Sequence, residues 1–161
     1  MTSSIQTPER LAEWMSLALD QAREAESHNE VPVGAVLLHA DGSVLARAFI
    51  RRIGLSDPTP HVEILALRRA ARLTGNYRLP GTILVCTLEP CLMCLGALTQ
   101  ARAAGLVFGA RDPRTGAVVS RLAYPEALPW LNHHFWWEEG IMAETCGSLL
   151  RDFFSSRRRN A

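Results

Sequence analysis

Leu11, Trp14, Met15, Ala18, Ala22 and Ala25 recur three and four positions apart, with charged and polar residues between them. That spacing, opened by Thr7 and Pro8, predicts a helix over residues 8–26 with one buried stripe. The period then shortens. VPVGAVLL and VLARAFI flank the turn signal HADGS and read as a hairpin of strands 32–38 and 44–49. Beyond the proline-rich SDPTP, the run HVEILALRRAARLTG restores helical spacing from His61 to near Gly75. TILVCTL is a short apolar strand that delivers the chain to Glu89, Pro90 and Cys91. CLMCLGALTQAR reads as the next helix and AGLVFGA as the next strand. Residues 110–137 show little periodicity and read as loops and short turns. A last helix, 138–156, presents Ile141, Met142, Thr145, Leu149, Leu150 and Phe153 ahead of an arginine run.

Strands alternating with helices of this length imply parallel pairing within an α/β sandwich. The 161 residues suffice for one full-sized core, and no repeat or linker divides them, so a single domain over 1–161 is expected. With 48% apolar and 20% charged residues the chain has an ordinary globular composition. No apolar run approaches the roughly 18 residues of a membrane span. The start, MTSSIQTPER, lacks the basic and apolar segments of an export signal, so no membrane partner and a cytoplasmic location are expected.

The formal charge of +1 neither requires nor excludes a nucleic-acid partner, but its distribution is uneven. Residues 9–30 carry six acids against Arg10 and Arg23, a net −4; residues 151–161 carry four arginines against Asp152, a net +3. All seventeen basic residues are arginine, a side chain suited to bidentate phosphate contact. A lysine-free chain is equally what a biased genomic composition produces.

Four cysteines at unequal spacings, in a chain whose core needs no staples, suggest thiols or metal ligands before disulfides. Cys86 and Cys146 lie in apolar surroundings and read as buried. Cys91 and Cys94 form a CxxC that, taken alone, is equally a redox pair or half of a metal site. His61 and Glu63 at the start of another helix change that balance. In open α/β sheets, ligands gather where strands end and helices begin, which brings one imidazole and two thiolates together. These three suit zinc and leave its fourth tetrahedral position open, the mark of a catalytic rather than a structural ion. Glu63 then reads as the proton-transfer residue beside it. Glu89 reads as an acid that orients the local backbone.

His61-Val62-Glu63 with Pro90-Cys91-Leu92-Met93-Cys94 resembles the zinc signature of the cytidine and deoxycytidylate deaminase superfamily. NEVPVGAVL, DPTPHVEILALR, TLEPCLMCLGAL, VFGARDPRTGA, LNHH and EGIMAETCGSLLRDFF narrow the resemblance to the bacterial tRNA-specific adenosine deaminases. That resemblance implies a three-layer α/β/α sandwich around a mixed five-stranded sheet, with one Zn2+ per subunit on His61, Cys91 and Cys94. It implies hydrolytic deamination of adenosine to inosine at the wobble position of an arginine tRNA, by zinc-activated water with Glu63 as proton shuttle. It also implies a homodimer that receives a tRNA anticodon stem-loop. By the same likeness Ala35, Ile50, Pro60, Val62, Leu88, Arg111 and Asp112 belong to the substrate pocket. Arg51, Arg52, Arg114, Phe153, Phe154, Arg157, Arg158 and Arg159 are candidates for RNA contact. Trp130, Trp136 and Trp137 read as packing residues, over the core or at a subunit boundary, ahead of base stacking.

Three positions depart from the family pattern. Ile50 stands where a hydrogen-bonding asparagine is usual, and Pro60 and Val62 replace the small residues that flank the histidine. A polar substrate group facing Ile50 would lose a partner at roughly 1–3 kcal/mol. Deamination of cytosine in nucleic acid, or of a free base such as guanine, is therefore the rival activity. A non-catalytic zinc-binding RNA module is the rival of another class.

Overall fold

The computed structural model describes residues 6–160; residues 1–5, half of the stretch read for an export signal, and residue 161 lie outside the described part. Helix α1 (Pro8–Ser27) begins as its sequence dictates, with Thr7 Oγ1 accepting from the Arg10 amide at 3.3 Å and Pro8 in the first turn. Strands β1 (Gly34–Leu38) and β2 (Val44–Phe49) pair antiparallel. Their turn is closed by Gly42 at φ +90° and by Asp41, whose Oδ1 accepts from the Ser43 amide and hydroxyl.

A four-residue helix α2 (Arg52–Leu55) stands just before the proline-rich SDPTP, where the periodicity predicts no element. Helix α3 (Val62–Thr74) starts at His61 and stops at Gly75, whose φ of +67° suits a residue without Cβ. Strand β3 (Ile83–Leu88), helix α4 (Leu92–Ala101) and strand β4 (Gly105–Ala110) follow as the periodicity predicts.

The main correction lies beyond them. Trp136–Glu138 form a fifth strand, β5, in a segment read as irregular, and helix α5 (Ala143–Arg159) starts five residues later than expected. A three-residue strand is too short to show alternation. It is selected by its neighbour, since Gly105 on β4 leaves room for the Trp136 ring against its α-carbon.

The sheet order is β2-β1-β3-β4-β5. β1 runs antiparallel to β2 and β3, while β3, β4 and β5 are parallel, so the sheet is mixed. Alternate residues feed opposite cores. Ala35, Leu37, Leu84, Cys86, Leu106 and Phe108 pack with α3 and α4; Val36, Leu38, Ile83, Val85 and Val107 pack with α1 and Cys146 of α5. This two-sided burial explains why the strands read as continuous apolar runs. The result is the expected three-layer α/β/α sandwich. No helix among the described residues is long and apolar enough to cross a membrane.

Candidate metal centre

β3 carries the chain to Glu89-Pro90-Cys91, and Cys91 forms the N-cap of α4, with Cys94 in that helix's first turn. His61 is likewise the N-cap of α3, its ring turned away from capping. The approach to it is fixed by Asp57, whose Oδ1 accepts from the Thr59 amide and hydroxyl, and by buried Pro60. Two helix starts on one face of the sheet therefore converge.

The Cys91 and Cys94 sulfurs are 3.8 Å apart, and each lies 3.6 Å from His61 Nδ1. Zinc bonded tetrahedrally at about 2.3 Å to sulfur and about 2.1 Å to nitrogen requires edges of about 3.8 Å and about 3.6 Å. The three donor atoms thus occupy three corners of a tetrahedron of zinc size, and the donor set is one zinc prefers. Among the described residues no other group of three or more His, Cys, Asp or Glu ligand atoms converges in this way.

Glu63 sits in the first turn of α3, 5% exposed, with Oε2 accepting from Cys94 at 3.2 Å. Burial pushes its carboxyl above the ordinary value, only partly offset by the Cys94 thiol and by His61. Cys91 is held down at about 3, chiefly by the Cys94 S–H it accepts and against its own burial, with His61 assisting. Cys94 is pushed up because it makes that donation, because it is buried, and because Glu63 is near. Three acidic groups so close cannot all be ionised without a cation among them.

The remaining candidates fall into groups. Ala35, Ile50 and Val62 are buried in one apolar cluster, with Leu88 packed against it. Ile50 is 7% exposed and donates its amide to Val33 O at 3.2 Å, so its side chain is core. Arg52 reaches the site directly, its Nη2 lying 2.6 Å from His61 Nε2. No spacing or motif signals this contact, which depends on where α2 places the arginine. Arg51 lies over the Phe49 ring.

On the loop after β4, Arg111 pairs with Glu139 at 2.6 Å, and Asp112 accepts from Arg114 N and from Thr115. Arg114 is exposed beside them. Further away, Arg157 lies over the Phe153 ring and donates to Asn29 O at 2.5 Å, holding the end of α5 to the segment that enters β1. Phe153 is buried; Phe154, Arg158 and Arg159 are exposed.

Cys86 and Cys146 are buried as expected. Trp136 and Trp137 pack against the two cores, and Trp130 is 75% exposed on the single chain. Glu89 is engaged by four backbone amides and the Ser120 hydroxyl, as an orienting residue should be.

Residues 8–110 match the cytidine and deoxycytidylate deaminase zinc-binding region. The chain is 43% identical over 144 residues to the tRNA-specific adenosine deaminase of Haemophilus influenzae, covering 89% of this chain and 83% of that protein. It is 42% identical over 145 residues to the tRNA-specific adenosine deaminase of Agrobacterium fabrum, covering 90% and 94%. A solved structure from work on A-to-I editing by tRNA:A34 deaminases at the wobble position superposes with a TM-score of 0.81. It is 41% identical and covers 86% of this chain and 99% of that one.

Proposed function

The chain belongs to the tRNA-specific adenosine deaminases, within the cytidine and deoxycytidylate deaminase family, and from that premise we propose that it hydrolyses adenosine to inosine at the wobble position of an arginine tRNA. The observation that carries the reading is the three-cornered donor set with buried Glu63 beside it. A closed structural site would have a fourth protein ligand; this one leaves that side for water and substrate.

His61, Cys91 and Cys94 hold one zinc per subunit, and when bound the metal supplies Lewis-acid activation of water near neutral pH. Glu63 does the proton work. Its carboxylate takes a proton from the attacking water and delivers it to the ring nitrogen as oxygen adds to C6 of adenine. It then relays the water's second proton to the departing amine, so that adenosine and water become inosine and ammonia. Burial suits it to this task, because a carboxyl whose ordinary value is raised holds a proton between the two transfers.

Ala35, Ile50, Pro60, Val62 and Leu88 supply an apolar wall beside the donor set, and Arg111 with Asp112 borders it on the loop after β4. Arg51, Arg52, Arg114, Arg158 and Arg159 offer phosphate contacts, with Phe154 exposed near the last two. The protein acts as a homodimer in the cytoplasm. Exposed Leu92 and Met93 at the start of α4, with Ile53 at 69% exposure on α2, provide apolar surface for a second subunit.

The test is ammonia release by zinc-loaded protein on anticodon stem-loops bearing adenosine or cytidine at the wobble position, with Glu63→Gln as control. Adenosine turnover that disappears in the control is the expected result. Preference for cytidine, or turnover of a free base alone, would replace the substrate; RNA binding without ammonia release would leave a zinc-binding RNA module.

A further inference from the structure

Glu89 lies two residues before Cys91 and is 2% exposed. Its Oε1 accepts from the Asp112 amide at 3.0 Å and from the Ser120 hydroxyl. Its Oε2 accepts from the amides of Val118, Val119 and Ser120 at 3.0, 2.9 and 3.0 Å. One carboxylate thus ties together both ends of a single loop, residues 112 and 118–120. Burial alone would raise its pKa, but these donors hold it below the ordinary glutamate value.

The same loop is sewn to the residues on either side of Glu89. Glu89 N donates to Ala110 O, Ala117 N donates to Pro90 O, each at 2.9 Å, and Cys91 bridges Gly116. Gly116 lies flat on the carboxylate: a Cβ there would stand 2.3–2.5 Å from its atoms. The outer side of the loop is different. Arg111, Pro113, Arg114 and Thr115 are exposed.

We propose that Glu89 is a positioning residue that locks the 111–120 loop to the strand–helix junction bearing Cys91, so that Arg111 and Arg114 stand at a fixed offset from the metal centre and receive the phosphates of the RNA strand whose base enters it. The identity of that strand rests on the tRNA reading above; the anchor rests on the hydrogen bonds alone. A loop held in advance need not be ordered when RNA binds, so the anchor acts on affinity and leaves the chemical step to Glu63. Glutamine at position 89 would turn an amide NH2 toward backbone N–H groups, donor against donor, while keeping size and burial.

The experiment compares wild-type, Glu89→Gln and the milder Ser120→Ala in zinc-loaded form. Amide exchange of residues 112–120, stem-loop affinity by fluorescence anisotropy, kcat, KM and zinc content are measured. Glu89→Gln should speed exchange at residues 112 and 118–120, weaken RNA affinity about tenfold and raise KM to match, with kcat and zinc content little changed. Ser120→Ala should shift the same quantities in the same direction by less. Unchanged exchange overturns the proposal, as does a fall in kcat at constant KM and RNA affinity, or a loss of zinc that accounts for the whole effect. If the wild-type protein deaminates no stem-loop, the activity reading fails, and exchange together with anisotropy still decides whether the anchor sets RNA affinity.

Discussion

At Glu63, burial favours the neutral acid while the Cys94 thiol and His61 favour the carboxylate, and a residue balanced in this way can both accept and give up a proton. Glu63→Gln should therefore keep its zinc and lose about 10²–10⁴-fold in kcat; metal content by atomic absorption and ammonia release measure the two independently. Glu89 shows the opposite balance. Burial raises its pKa, but Ser120 and the loop amides outweigh it and hold the value below that of a glutamate in the unfolded chain. The sign follows: its ionised form contributes stability at pH values above the unfolded pKa, and this contribution is lost as pH falls through the lower folded value. Wild-type Tm should fall more steeply than that of Glu89→Gln as pH is lowered from about 5 to about 3; parallel curves in thermal melts would remove Glu89 from the acid response. Both glutamates belong to the same signature, and the sequence separates them by position, Glu63 two residues after the histidine and Glu89 two before the first cysteine. What separates them is which groups face each carboxylate.

Element packing is controlled by two glycines. A Cβ on Gly34 would meet Ala18 O at 2.2 Å and Ala22 N at 2.4 Å, so the backbone of α1 lies directly on β1. Backbone cannot swing aside as a side chain can. Gly34→Ala should destabilise the fold by roughly 1–3 kcal/mol or more, read from the urea midpoint. A Cβ on Gly105 would instead meet the Trp136 ring at 2.2 Å. Gly105→Ala should displace the edge strand β5 while leaving β1, β3 and β4 paired, visible as faster amide exchange confined to residues 136–138. Periodicity located α1, α3, α4 and the first four strands because each has a long apolar face. It missed β5 and the late start of α5, since three residues of strand carry no period and Gly105 names no partner in the sequence.

For the whole molecule, the donor set ties stability to metal. A ligand present at 100 times its Kd contributes about 2.7 kcal/mol, so zinc should raise Tm in the wild-type protein and chelator should reverse the rise. Cys91→Ala should abolish the response; a response that survives would move the metal elsewhere. The sequence determined the sandwich, because two-sided apolar strands alternating with amphipathic helices have few other ways to bury their faces. It also located the candidate metal donors, because HxE and PCxxC place them at two helix starts. Tertiary structure decided the rest. It set Ile50 in the apolar cluster with Ala35 and Val62, Arg52 against His61, and Arg157 against Asn29 O at the end of α5. A charged or apolar side chain reads the same in sequence whether it faces solvent, ligand or a distant carbonyl. Only the folded chain brings residues 52 and 61, 89 and 120, or 157 and 29 within hydrogen-bond reach, and those long-range contacts assign their roles.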